Sequence, residues 1–184
     1  MAGPWSGVLL TGPPGSGKTT ALRRAVGLLV ERGIAVTGFV TDEVREHGGR
    51  VGFDLVVLDP DGRDGARHVL ARVGFASPVT VGRYGIDVDA VTAALPSLAA
   101  PGDVVVVDEV APMELKAPGF VAAMEAVLDG DRPLLATVHA RAGGFAARLR
   151  EDPRFALIEV TPQTRAAVPQ EAVETLALSL GERR

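Results

Sequence analysis

Short apolar runs alternate with segments of helical periodicity along most of the chain. Residues 8–11 form a short, mostly apolar run before Gly12, and residues 18–32 place apolar side chains at helical spacing before Gly33. The same alternation continues with predicted strands at 34–41, 104–107, 134–138 and 156–160 and predicted helices at 87–98, 118–128, 143–150 and 164–180. Five strands separated by helices predict an α/β fold with a mostly parallel sheet and right-handed crossovers.

Residues 42–72 interrupt this alternation and predict an antiparallel β insertion. Two strand-like segments, 50–58 and 63–72, lie on either side of the sequence Asp-Pro-Asp-Gly, which is typical of a hairpin turn. Residues 73–86 show no regular pattern. No repeat or linker divides the chain, so we expect residues 1–184 to form a single domain, with Trp5 as an N-terminal anchor.

The composition is that of an ordinary globular protein and excludes several function classes. Of 184 residues, 47% are apolar and 23% are charged, so the chain can bury a substantial core. The absence of cysteine excludes disulfides, thiolate metal sites and a cysteine nucleophile. No apolar run is long enough to span a membrane and the first residues do not resemble a signal peptide, so we expect a cytoplasmic protein. The net charge of −4 argues against general nucleic-acid binding, which depends on lysine and arginine.

Residues 12–19 match the phosphate-loop motif G-x-x-x-x-G-K-[ST] in full, between a predicted strand and a predicted helix. The glycines let the backbone curl so that successive N–H groups point at phosphate oxygens, and the helix N-terminus adds positive potential. In this motif Lys18 reaches the β- and γ-phosphates, and the Thr19 hydroxyl binds Mg²⁺, the implied cofactor. The predicted nucleotide-binding residues of this segment are Gly12, Pro13, Pro14, Gly15, Ser16, Gly17, Lys18, Thr19 and Thr20.

Two carboxylates follow the four consecutive valines at positions 104–107. Residues at the carboxyl end of a parallel strand face the ligand crevice. Asp108 is therefore predicted to hold Mg²⁺ together with Thr19, and Glu109 to orient or deprotonate the water that attacks the γ-phosphate. The alternative is a strand that simply ends in solvated acids.

Further sequence blocks follow the phosphate loop in order: GFVTDEVR at 38–45, RVGF at 50–53, VGRYG at 81–85, DEVAPMEL at 108–115 and VTPQTR at 160–165. Together they resemble the THEP1-type nucleoside-triphosphatases, also called cancer-related nucleoside-triphosphatases, over nearly the whole chain. The resemblance implies a three-layer, RecA-like P-loop core with helices on both faces of the sheet. It also implies slow, Mg²⁺-dependent hydrolysis of several nucleoside triphosphates to the diphosphate and phosphate. The residues that carry over are Gly12, Gly17, Lys18, Thr19, Asp108 and Glu109, and the resemblance suggests that Arg165 lies near the base.

Three positions depart from the family pattern. Ala111 and Thr164 stand where glycine and asparagine are usual, and His139 ends a segment that tends to read Thr-Ile-Pro. None of these changes removes a phosphate-loop residue or a member of the acidic pair. They therefore bear on base contacts and turnover more than on the class of reaction.

Several arginines are candidates for the extra cation that stabilises the γ-phosphate during transfer. Arg45, in the TDEVR block, is predicted to take this catalytic role, with Arg50 as its neighbour, and a solvated hairpin is the alternative. A second group lies where a lid over the nucleotide would be expected, although a solvated short helix explains it as well. This group consists of Arg141, Arg148, Arg150 and Arg154.

For three further polar side chains the sequence allows both a structural and a functional interpretation. Thr137 and His139 are two residues apart on a predicted strand, so they share a face and either can sense the γ-phosphate. A histidine in this position is also commonly structural. Tyr84 either stacks on a ligand or packs a turn.

Together these features predict a nucleoside-triphosphate hydrolase. The chain has no Asn-Lys-x-Asp block that would select guanine, and the resemblance implies loose selection of the base, so the expected substrates are ATP, GTP, CTP and UTP. One alternative is a small-molecule or nucleotide kinase, in which an acceptor replaces water. Another is a nucleotide-gated switch that binds a protein partner through the β insertion. The sequence does not identify such a partner.

Overall fold

One nine-stranded sheet organises residues 6–181, which are the residues that the computed structural model describes. Trp5 lies outside them. In chain order the strands are β1 (Gly7–Thr11), β2 (Val36–Glu46), β3 (Gly49–Leu58), β4 (Asp64–Val73), β5 (Thr80–Val81), β6 (Tyr84–Ile86), β7 (Val104–Val110), β8 (Leu134–Val138) and β9 (Phe155–Glu159). Their order across the sheet is β5-β6-β4-β3-β2-β7-β8-β1-β9.

Helices cover both faces of this sheet and make a three-layer α/β structure. They are α1 (Lys18–Glu31), α2 (Val88–Ala94), α3 (Pro96–Ala99), α4 (Phe120–Leu128), α5 (Phe145–Glu151) and α6 (Val168–Gly181). One face of the sheet packs against α1 and α6, and the other packs against α2, α3, α4 and α5. The predicted fold class is confirmed. None of the helices in the described part of the chain has both the length and the apolar character needed to cross a membrane.

Five neighbouring strands, β2, β7, β8, β1 and β9, pair in parallel, and we call them the parallel half. The four valines of β7 show why a continuous apolar run suits this position. Val105 and Val107 belong to one core layer and Val104 and Val106 to the other, all fully buried. Because successive side chains of a strand point to opposite faces, a strand covered on both faces needs apolar residues throughout.

The other four strands, β3 to β6, form the antiparallel half, which extends the same sheet. The predicted hairpin is confirmed: β3 and β4 pair antiparallel on either side of the turn at 59–62. The insertion begins inside β2, however, since β2 runs five residues past the predicted end at Thr41 and pairs with β3 as far as Glu46. The prediction of irregular structure at 73–86 is wrong in part, because β5 and β6 lie there and β6 pairs with β4.

Two predicted helices differ from the observed ones in their limits. The helix predicted over 87–98 is divided at Pro96 into α2 and α3, and the Asp87 side chain caps α2 by accepting a hydrogen bond from the backbone N–H of Asp89 at 3.1 Å. The last helix begins at Val168 rather than at Thr164. The Thr164 hydroxyl accepts from the backbone N–H of Thr161 at 2.9 Å, which holds these residues in a turn before the helix.

Candidate nucleotide site

The phosphate loop occupies the connection between β1 and α1, where the sequence predicts it. Gly12 and Gly17 have φ angles of 146° and 101°, in a region that L side chains rarely adopt. A Cβ on Gly12 would lie 2.4 Å from the carbonyl oxygen of Val160, so the loop can pass this close to the end of β9 only with glycine at this position. Lys18 is the first residue of the 14-residue helix α1, whose N-terminus therefore faces the loop.

Lys18 and Glu109 face each other across the mouth of this loop. The Lys18 Nζ atom lies 3.5 Å from Oε1 of Glu109 and donates a hydrogen bond to the carbonyl of Gly12 at 3.3 Å. Only 10% of the lysine side chain and 24% of the glutamate side chain are exposed. Burial raises the pKa of Glu109, the nearby Lys18 charge opposes that rise, and the Asp108 charge adds to it. The pair therefore joins a phosphate-binding cation to a carboxylate of increased basicity.

Asp108 is buried and held by three threonine hydroxyls. Thr19 and Thr41 each donate to Oδ2 at 2.9 Å, and Thr137 donates to Oδ1. The backbone N–H of Thr41 also lies 3.3 Å from Oδ2. These threonines come from α1, β2 and β8, so three separate elements fix one carboxylate. We call this arrangement the threonine clamp.

The residues of the clamp fit a Mg²⁺ ion. Mg²⁺ takes oxygen ligands and keeps several waters, so it is usually bound by one or two protein groups together with the phosphates of the substrate. The Thr19 hydroxyl and the Asp108 carboxylate supply two such oxygens in contact beside the phosphate loop. Within residues 6–181 no group of three or more histidine or acidic side chains forms a larger metal cage.

A cleft of about 830 Å³ extends from the phosphate loop to the antiparallel half. Its phosphate end is lined by the loop, Lys18 and Glu109, and its far end by apolar and aromatic side chains of β3, β4 and β6. His139, at the end of β8, also lines it. Three strands of the antiparallel half therefore contribute to the same cleft as the phosphate loop.

His139 is held in one orientation by the loop that follows β8. Its Nδ1 atom accepts hydrogen bonds from the backbone N–H groups of Arg141 and Ala142 at 3.2 and 3.0 Å. Partial burial lowers the pKa of His139, and the charges of Lys18, Arg150 and Arg141 lower it further. The ring is therefore neutral at neutral pH, with Nε2 carrying the proton.

Glu114 is the most deeply buried acid of the cleft. It is 2% exposed, and its Oε2 atom has no hydrogen-bond partner among the described residues. Burial raises the pKa of Glu114 well above its ordinary value, and the charges of Glu109 and Asp108 raise it further. The carboxyl group is therefore protonated over a wider pH range than an exposed glutamate.

The structure brings most of the predicted site residues together, but not the predicted catalytic arginine. Arg45 is 59% exposed on β2, paired with Glu43, and donates to the carbonyl of Gly48 at 3.3 Å. It does not line the cleft, whereas Arg50 does. β2 and β3 shift register between Val44 and Arg45, and an irregularity of this kind changes the direction of the side chains that follow it.

Arg165 lies beside the phosphate loop, on the side away from the antiparallel half. A Cβ on Gly17 would be 3.7 Å from Cδ of Arg165. Three of the four arginines predicted to form a lid are engaged with protein groups: Arg148 pairs with Glu125, Arg154 pairs with Asp152, and Arg150 donates to the carbonyl of His139 at 2.6 Å.

Sequence reasoning missed three groups that the structure places in the cleft or its clamp. Thr41 was identified only as part of a family-like block, yet it contacts Asp108. Thr137 contacts the same carboxylate, although the sequence suggested the γ-phosphate as its partner. The sequence assigns no role to Glu114. The available signal for Thr41 was a polar residue at the end of the predicted strand 34–41, because β2 and β7 are neighbours in the sheet.

A glycine-rich loop between a buried strand and a helix, facing an acidic pair at the end of a second buried strand, defines a P-loop nucleotide-binding protein. Comparison with known proteins identifies the family within this class. Residues 7–173 match the family described as NTPase, and the chain belongs to that family.

Individual relatives agree with this assignment. The chain is 42% identical over 176 residues to nucleoside-triphosphatase THEP1 of Thermofilum pendens, covering 92% of this chain and 94% of that protein. The crystal structure of THEP1 from Aquifex aeolicus matches with a TM-score of 0.78 at 26% identity, covering 92% of this chain and 98% of the other. The solution structure of a human cancer-related nucleoside triphosphatase matches with a TM-score of 0.74 at 34% identity, covering 91% and 95%. The resemblance seen in the sequence is confirmed.

Proposed function

We propose that this protein hydrolyses nucleoside triphosphates to the diphosphate and phosphate by attack of water on the γ-phosphate, with Mg²⁺ as cofactor. The observation that carries the proposal is the Lys18–Glu109 pair at 3.5 Å, beside the clamped Asp108 and at the mouth of the phosphate loop. A cation for the γ-phosphate and a base for water then occupy adjacent positions. The names of the relatives, nucleoside-triphosphatases, support the same reaction.

The phosphate loop and α1 bind and orient the triphosphate. Backbone N–H groups of the loop and the positive end of α1 stabilise the phosphate charges. Lys18 exchanges part of its contact with Glu109 for the β- and γ-phosphate oxygens, where negative charge develops during transfer.

Glu109 then acts on the attacking water. The water oxygen forms a bond to the γ-phosphorus while the bond from that phosphorus to the β–γ bridging oxygen breaks, and its electron pair leaves with the diphosphate. The Glu109 carboxylate accepts the proton that the water releases. Burial raises the pKa of Glu109, so the residue is a stronger base than an exposed glutamate.

Thr19 and Asp108 would hold Mg²⁺, which when bound neutralises charge on the β- and γ-phosphates. Thr41 and Thr137 keep the Asp108 carboxylate in a fixed orientation. Such supporting hydrogen bonds are a usual part of a metal site.

We propose ATP, GTP, CTP and UTP as substrates. The proposal is supported by the absence of a guanine-selecting block in the sequence. Arg165 is the side chain that we propose to lie near the base, because it lies beside Gly17 on the side of the loop away from the cleft.

The test is phosphate release from each of the four triphosphates with Mg²⁺ and no acceptor. We expect release from several of them and a decrease of about 10²- to 10⁴-fold in Glu109→Gln, with the nucleotide still bound. The matched control is Glu151→Gln, at the exposed end of α5, which should hydrolyse like the wild type. In the wild type, the acid limb of the pH profile should lie above the ordinary glutamate pKa. Tight nucleotide binding without phosphate release by the wild type would contradict the proposal.

A further inference from the structure

The far end of the cleft has no role in hydrolysis as derived above. It is lined by Phe53 on β3 and Tyr84 on β6, whose rings contact each other edge to face, with centroids 5.5 Å apart and the planes at 66°. Leu70 and Met113 complete an apolar lining. Neither the loop nor the acidic pair requires an aromatic surface, and a cleft of about 830 Å³ is larger than a phosphate site alone needs.

The order of the strands places the aromatic end of the cleft past the position expected for the γ-phosphate, on the side away from Arg165. Four groups follow one another across the sheet at its carboxyl edge. Arg165 comes first, after β9, and the phosphate loop is next, after β1. Glu109 on β7 and Phe53 on β3 follow. Four strand spacings separate β1 from β3, about 19 Å at roughly 4.8 Å each. A nucleoside triphosphate whose base lies toward Arg165 extends its γ-phosphate toward Glu109 and leaves the aromatic end free.

Two arginines pack against the aromatic pair, and one of them, Arg50, itself lines the cleft. The guanidinium carbon of Arg50 lies 5.5 Å from the Phe53 ring centroid, and that of Arg83 lies 5.3 Å from the Tyr84 centroid. Arg83 also donates to the backbone carbonyl of Arg50 at 2.5 Å and contacts the Tyr84 hydroxyl at 3.3 Å. Two rings fixed in this way form a preformed surface for a planar ligand.

Glu114 provides an independent sign of a missing ligand. It lines this cleft, is 2% exposed and leaves its Oε2 atom without a hydrogen-bond partner among the described residues. Buried polar atoms in proteins are almost always paired, so an unpaired one beside a cleft indicates a group that a ligand would satisfy. A carboxyl group both donates and accepts, which suits the edge of a nitrogen heterocycle that does the same.

We propose that the cleft between Phe53, Tyr84 and Glu114 binds a second substrate, a nucleoside or similar hydroxyl-bearing heterocycle, as an acceptor of the γ-phosphoryl group. The ring packs on the aromatic pair, its polar edge meets Glu114, and its hydroxyl points toward Glu109. This inference rests on the proposed function, because it uses the same bound triphosphate and the same base.

The reaction differs from hydrolysis only in the nucleophile. The acceptor oxygen forms a bond to the γ-phosphorus, the bond to the β–γ bridging oxygen breaks, and the hydroxyl proton passes to Glu109. The products are the diphosphate and the phosphorylated acceptor. Hydrolysis is then the reaction that occurs when water occupies the place of the acceptor hydroxyl.

The test uses adenosine, guanosine, cytidine and uridine as probes. Binding of each is measured by calorimetry on protein loaded with Mg²⁺ and the non-hydrolysable ATP analogue AMPPNP. We expect saturable binding of at least one nucleoside, weakened about tenfold or more in Tyr84→Leu and in Glu114→Leu. The matched control is Phe75→Leu, at a ring that is 42% exposed and does not line the cleft. It should bind the nucleoside like the wild type. With ATP in place of the analogue, mass spectrometry should detect the monophosphate of the nucleoside that binds.

The outcomes separate this inference from the proposed function. Binding of none of the four probes, or equal weakening in Phe75→Leu, would overturn the second site. Binding without formation of the monophosphate would overturn the acceptor role. A loss of triphosphate affinity in Tyr84→Leu that differs between AMPPNP and GMPPNP would overturn the second site, because it would show that the cleft holds the base of the triphosphate itself. Failure of the wild type to bind AMPPNP would count against the proposed function instead.

Discussion

The parallel and antiparallel halves share one sheet but are stabilised in different ways. Strands β1, β7 and β8 of the parallel half are almost completely buried between two helix layers. The antiparallel half has exposed positions along β4 and an ion-pair network in which Arg67 contacts Asp42, Asp54 and Asp64. Exposed ion pairs of this kind contribute little to stability.

This difference in environment corresponds to a difference in the groups that each half brings to the cleft. The parallel half and its helix α1 supply Lys18, Asp108 and Glu109, which need fixed positions if they act, as we propose, on a charged reacting centre. The antiparallel half supplies Phe53 and Tyr84, which offer a surface rather than a reactive group. We therefore expect substitutions of Lys18, Asp108 or Glu109 to remove turnover, and those of Phe53 or Tyr84 to change what is bound or nothing at all.

The largest expected effect in this comparison is a loss of turnover when Lys18, but not Lys116, is replaced. Lys18→Ala should lower turnover by about 10²- to 10³-fold, because the γ-phosphate loses its cation in the transition state. Lys116→Ala is the matched control, since Lys116 is the other lysine and lies exposed after β7. Steady-state phosphate release measures both. Comparable rates of phosphate release in the two variants would contradict the proposal that the reaction takes place at the parallel half.

A smaller effect is expected when the threonine clamp is weakened. Thr137→Val removes the hydrogen bond to Asp108 and should raise the Mg²⁺ concentration for half-maximal activity by about 10- to 100-fold. It should also cost about 1–3 kcal/mol of unfolding free energy. Thr37→Val is the control, because this buried hydroxyl donates to the carbonyl of Ser97 at 2.5 Å, remote from the site. An equal change in the Mg²⁺ requirement of both variants would contradict the role of the clamp.

Glu114 should make the unfolding free energy depend on pH. Above the ordinary glutamate pKa the unfolded chain releases this proton while the folded protein retains it, because burial raises the folded pKa. The wild type should therefore lose up to about 1.4 kcal/mol per pH unit relative to Glu114→Gln as pH rises toward that value. Denaturant titrations at several pH values measure the difference. Glu151→Gln should follow the wild type, and a Glu114→Gln curve parallel to the wild type would be inconsistent with a buried, protonated carboxyl.

The smallest effect is expected at Arg45. Its side chain is 59% exposed and pairs with Glu43 outside the cleft, so Arg45→Ala should change turnover by less than about twofold and stability by at most about 1 kcal/mol. The same phosphate-release assay measures it. A decrease of tenfold or more would show that the hairpin moves Arg45 to the γ-phosphate when nucleotide binds.

The sequence predicted the parallel half well because local signals there agree with each other. The four valines of β7, the glycines of the loop and the helical spacing of α1 each favour the element that forms. The phosphate-loop motif also indicates chemistry, so Lys18 and Thr19 could be assigned from spacing alone.

The antiparallel half was predicted less well because its organisation depends on contacts between distant residues. The short strands β5 and β6 are defined by pairing with each other and with β4, which no local pattern indicates. Glu114 follows β7 by four residues, yet its burial depends on the packing of other elements around it. The sequence likewise could not show that Arg45 turns away from the cleft while Arg50 lines it.

The pairing of β2 with β3 also limits self-association. A sheet edge exposes backbone N–H and C=O groups that can pair with another chain. Two separate sheets would expose four such edges, whereas the joined sheet, over the strands described, exposes two. One edge is formed by the two-residue strand β5 and by residues 64–70 of β4, since β6 pairs only with residues 71–73 of β4. The other edge is the five-residue strand β9, which is preceded by Arg154 and ends at Glu159. Charged side chains along or beside these edges, such as Arg67 on β4, make them poor templates for aggregation, so attaching the insertion to the core favours a protein that stays dispersed when concentrated.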